Sequence, residues 1–150
     1  MNQHRTQRGG LAAVAPGQLG ANRLADGVLA LVIVELTTAT AVIHLRLGGL
    51  LFTLNGIGYL GLAAAYVATA AIPILQRFGW LARIGLAGYA ALTIGAYVAV
   101  GPYFDFGWIT KGIELAIVGL VFVDVISAYR GLGGLWRAAV SSLHSRVGED

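Results

Sequence analysis

Cysteine is absent from the chain, so disulfides, thiolate metal sites, cysteine nucleophiles and covalent haem attachment are excluded. Charge is scarce: Asp, Glu, Lys and Arg make up 11% of the 150 residues, where a soluble domain carries about 25%. A folded body of this size still exposes about a third of its chain's surface, and too few polar residues are present to cover that in water. What is abundant instead is apolar sequence, at 57%. The formal charge of +3 does not indicate nucleic acid, because the basic residues sit at the ends of apolar runs and form no single patch.

Four apolar stretches, 24–45, 47–72, 81–100 and 108–129, are each long enough to cross a hydrocarbon core of about 30 Å as a helix. They are apolar all round, which excludes soluble amphipathic helices, and they do not alternate as barrel strands would. Pro73 with Arg77 ends the second, Gly101-Pro102 the third, and Arg130 with Gly131 the fourth. The expected fold is therefore all-α: a polytopic integral membrane protein with four transmembrane helices in an up-down bundle. A flexible tail precedes it over 1–22, the membrane domain covers 23–130, and a short interfacial helix and tail follow over 131–150. In that last segment Leu132, Trp136, Ala139 or Val140, Leu143 and Val147 recur at helical spacing.

Lys and Arg are enriched in cytoplasmic loops, and this fixes the expected orientation. Arg5, Arg8, Arg23, Arg77, Arg83, Arg130, Arg137 and Arg146 share one side, with only Arg46 and Lys111 on the other. Both termini are thus expected in the cytoplasm, with the chain in the plasma membrane. Phe78, Trp80 and Tyr129 are placed at the inner interface, and Tyr103, Phe104, Phe106 and Trp108 at the outer one.

Small residues let membrane helices approach closely. Ala87, Ala91, Gly95 and Ala99 form such a stripe in the third span, and Gly61, Ala65 and Thr69 one in the second, so these two faces are expected to pack.

Ionisable residues inside a span cost at least about 2.5 kcal/mol each on insertion scales, which makes them candidate sites. Glu35 lies near the midplane of the first span, followed by Thr37, Thr38 and Thr40. It is either a proton or cation site, or a structural group bonded to a neighbouring helix or partner subunit. His44, Asn55, Lys111 and Glu114 share the outer half, where His44, Asn55 and Glu114 are placed to line a shallow outward-facing pocket. Lys111 and Glu114, three apart, can meet on one helix face. Asp124, six residues before Arg130, needs a partner from another helix, and Arg83 is the best placed.

No nucleophile–base pair, paired catalytic carboxylates or phosphate-binding glycine loop is evident, so no enzyme activity, cofactor or metal is expected. The run His44-Leu-Arg-Leu-Gly-Gly-Leu-Leu-Phe-Thr-Leu-Asn-Gly-Ile-Gly-Tyr-Leu60, with Ala87-Gly-Tyr-Ala-Ala-Leu-Thr93 and Ile109-Thr-Lys-Gly-Ile-Glu114, resembles small bacterial four-helix membrane proteins of unknown function. Glu35 with Thr37 and Thr38 also resembles the small multidrug-resistance transporters, which have four short helices and a membrane-embedded Glu in the first. The expected function is a non-catalytic accessory subunit, oligomer or scaffold, with lipid and a second copy or other membrane proteins as partners. The alternative, which the second resemblance implies, is a small oligomeric proton- or cation-coupled transporter with Glu35 as the coupling acid.

Overall fold

Long apolar runs without internal proline favour helix at every position, and the computed structural model, which describes residues 16–101 and 103–144, is all-helical. Its elements are α1 (Pro16–Leu47), α2 (Leu50–Ala71), a 3₁₀ segment (Pro73–Phe78), α3 (Gly79–Val100), α4 (Asp105–Tyr129) and α5 (Leu132–His144). Three helical stretches are long and apolar enough to cross a membrane: Arg23–Leu47, Leu50–Ala71 and Pro73–Val100. α4 is also long, at 25 residues, but carries Asp105, Lys111, Glu114 and Asp124.

The boundaries follow local chemistry. α1 starts at Pro16, in the first helical turn where a missing N–H costs nothing, so it takes in residues 16–22 that the sequence assigned to a tail. Gly48 and Gly49 both hold positive φ, 72° and 81°, and reverse the chain between α1 and α2. α4 ends where Arg130 turns left-handed, and the Gly131 N–H closes back onto the Ile126 carbonyl. Residues 1–15, 102 and 145–150 lie outside the described residues, and with them Arg5, Arg8, Arg146 and Val147 of the charge and periodicity arguments.

The four long helices pack in a ring, α1 against α2 and α4, and α3 against α2 and α4. Neighbours run antiparallel. On α3 and α4, Arg83 meets Asp124 and Thr93 meets Glu114, while α1 and α4 meet at Asp26–Ser127 and His44–Glu114. α5 folds back beside α4, α3 and the 3₁₀ segment, and Trp80 donates to Ser142 at 3.0 Å.

Only part of the small-residue stripes turns inward: Ala65, Thr69 and Ala87 are half-buried, and Ala87 packs against the core. Ala91, Gly95, Ala99 and Gly61 are all exposed, and α3 instead turns Ala82, Leu86, Ala90 and Tyr97 inward, a face one residue round from the stripe. Close approach happens elsewhere: a Cβ on Gly56 would meet the Ala41 carbonyl oxygen at 2.9 Å, so α2 seats on α1 there. At Gly58 the Tyr89 hydroxyl fills the space a side chain would need, one of the points where α2 and α3 touch.

Candidate functional site

Five of the six polar residues singled out in the sequence fall inside the ring or line a cleft within it, and one points away. α4 supplies most of the inner set, because Thr110, Glu114, Ile117, Val121 and Asp124, spaced by four and three, occupy its buried face.

In the outer half, Glu114 is fully buried, at 0% exposure. Its Oε2 accepts from Lys111 Nζ and from Thr93 Oγ1, the latter at 2.9 Å. Thr93 has one proton and spends it on acceptor-only oxygens, Glu114 or the Ala90 carbonyl, so Tyr59 must be the donor in the 2.8 Å Tyr59–Thr93 bond. The other oxygen, Oε1, has no hydrogen-bond partner, and His44 Nε2 stands 3.6 Å from it. His44 Nδ1 lies 2.8 Å from the Thr40 carbonyl, which can only accept, so this nitrogen carries a proton.

A cleft of about 330 Å³ opens beside this cluster, between α2 and α3. His44, Asn55 and Lys111 line its polar end, and Leu51, Leu54 and Leu92 its apolar flank. Glu114 does not reach the cleft wall; His44 and Lys111 stand between.

In the inner half Asp124 accepts from Arg83 Nε and from the Tyr66 hydroxyl, each at 2.7 Å. The Arg83 guanidinium also lies 5.3 Å from the Tyr66 ring and 5.6 Å from that of Tyr129. Buried Ile33, Leu86, Ala90, Ile117 and Val121 form an apolar layer between the two clusters.

Glu35 joins neither cluster. It is exposed on the outside of α1, in a row of exposed residues 24, 28, 31, 35, 38, 42 and 45. The apolar members include Leu24 at 73%, Val28 at 60% and Leu31 at 60% exposure. Steps of four and three along seven positions trace a heptad seam, with Glu35 at its centre.

Tyr59, Tyr66 and Thr93 are the participants that the sequence analysis missed. A signal was present: Tyr59 and Tyr66 are seven apart on one helix face, and each carries a hydroxyl that needs a partner once buried. Against family models, curated proteins and solved structures, the chain matches none.

Proposed function

We propose that this chain is an integral membrane protein with four spans and both termini in the cytoplasm, a non-catalytic subunit that associates through intramembrane helix faces. The first such face is the outer seam of α1, and the first partner is a second copy of the chain. The carrying observation is Glu35: an exposed ionisable side chain midway along a seam whose other members are apolar residues and Thr38. Facing lipid, it would cost at least about 2.5 kcal/mol, a penalty that a hydrogen-bonding partner on another helix relieves.

Geometry supports a parallel pair. Basic residues Arg23, Arg77, Arg130 and Arg137 gather at one end of the helices, so every copy inserts the same way round. Two α1 seams packed in register then set Glu35 level with Glu35 of the other copy and one turn from its Thr38, where one shared proton lets the two carboxyls bond. A polar residue at one seam position is a known means of fixing register. The apolar layer between the two buried clusters supports a structural role over a continuous polar path.

The absence of cysteine makes the test clean. Single cysteines placed through α1 in native membranes should oxidise to dimers most readily at positions 28, 31, 35, 38 and 42. Positions 32 and 39, exposed but off the seam, should lag. A flat profile, or no dimer at any seam position, overturns the proposal.

A further inference from the structure

The outer cluster contains two facing acceptors. With Nδ1 of His44 protonated for the Thr40 carbonyl, Nε2 would carry a lone pair, and it faces Glu114 Oε1 at 3.6 Å. Both side chains are buried, at 3% and 0% exposure. Two lone pairs held together out of water repel, whereas one proton between them makes the contact attractive. The groups facing the pair are Lys111 on α4, Tyr59 from α2 with its ring 5.6 Å from His44, and Tyr89 and Tyr97 from α3. Of these only Lys111 carries charge. With the extra proton, Lys111, His44 and Glu114 together carry one net positive charge in a site closed to solvent.

That charge borders the α2–α3 cleft. Lys111 has three N–H donors, and among the described residues two are hydrogen-bonded, to Glu114 and to the Thr93 carbonyl at 3.4 Å; the ammonium also lies 5.5 Å from the Tyr97 ring while the side chain lines the cleft. The flank beyond is apolar and open toward the helix exterior, where Leu51, Leu92 and Val100 are all exposed. The space, about 330 Å³, is at the small end for ligand sites and suits one chain within the cleft.

We infer that this cleft binds a single-chain amphiphile with a carboxylate head, the head on Lys111 and the chain along Leu51, Leu54 and Leu92, and that one proton is taken up between His44 and Glu114 as it binds. Anion and proton together load the site without leaving a bare charge in an apolar setting. The inference uses the inward-facing His44 and residues of α2, α3 and α4, not the outer face of α1, and stands whether or not that seam pairs.

The test is binding of radiolabelled laurate to the full chain held in a non-ionic amphipol, with dodecanol as the same chain lacking the charge. Laurate should bind at least tenfold tighter than dodecanol at pH 6. Its affinity should then fall by up to about tenfold per pH unit as pH rises, the slope for one linked proton. Lys111→Met should bring laurate down to the dodecanol level, while Lys111→Arg keeps most of the difference. Glu114→Gln should remove the pH slope and leave laurate bound. Leu92→Trp, which fills the apolar flank without touching the charged cluster, should abolish binding of both ligands and remains informative if a charge variant fails to fold. Equal affinity for laurate and dodecanol, or intact binding in Leu92→Trp, overturns the ligand. A pH slope that survives Glu114→Gln overturns the proton.

Discussion

Glu35 and Glu114 are carboxylates on apolar helices of one small chain, yet their surroundings are opposite. Glu114 faces inward and meets a lysine, a threonine and a histidine of its own chain, whereas Glu35 faces outward among Leu31, Thr38 and Val42. The difference teaches that a polar residue in an apolar helix reports a partner without saying whose. Where the ring supplies the partner, the residue holds the fold together. Where it does not, the residue marks a surface that something else must cover.

The largest effect that would break this contrast lies in the inner cluster, which shares the logic of Glu114. Arg83→Leu leaves Asp124 buried with Tyr66 alone, and should cost about 3–5 kcal/mol in reversible unfolding from mixed micelles. Adding Asp124→Leu should return most of that loss, because the cost comes from the orphaned charge. Recovery of nothing would mean that the pair does more than satisfy itself.

Next in size is Tyr59→Phe, which removes the donor feeding the Thr93–Glu114 chain; about 1 kcal/mol of stability should go. On the outer face, Glu35→Leu should leave unfolding unchanged and weaken dimerisation about tenfold, read by donor–acceptor energy transfer in vesicles. A stability loss there as large as that of Arg83→Leu would erase the distinction between the two carboxylates.

The smallest expected effect comes from a glycine that faces open space, set against one that is tightly packed. Gly56→Val forces atoms into Ala41 and Leu45 and should cost about 1–3 kcal/mol, while Gly95→Ala enters open space and should stay within about 0.5 kcal/mol of the native chain. Equal penalties at the two sites would put the helix contacts back on the small-residue stripe.

Much of the fold is legible in the sequence because hydrocarbon-compatible length is a coarse and strong signal. Pro73 and Arg130-Gly131 mark two ends to within a few residues of those found, whereas the first turn falls at Gly48–Gly49, just past the break expected at Arg46. Which face of each helix turns inward is far less legible. In water, apolar residues point to the core, but lipid welcomes them as readily, so Leu86 inside and Leu92 outside look alike in the string. Alanine and glycine suffer the same ambiguity, which is why the Ala87–Ala99 stripe misleads by one residue. The charged residues are more informative: the spacing of Lys111 and Glu114, and the offset of six positions from Asp124 to Arg130, too long for a pair on one helix, point to the contacts observed. The hydroxyls that complete those contacts, on Tyr59, Tyr66 and Thr93, come from other helices and emerge only once the ring is assembled.

The reversal at Gly48 and Gly49 also bears on how the protein is made. On the proposed membrane-spanning reading, the two residues between α1 and α2 are too few to let one helix enter the bilayer while the other stays in water, so the pair would insert as one hairpin.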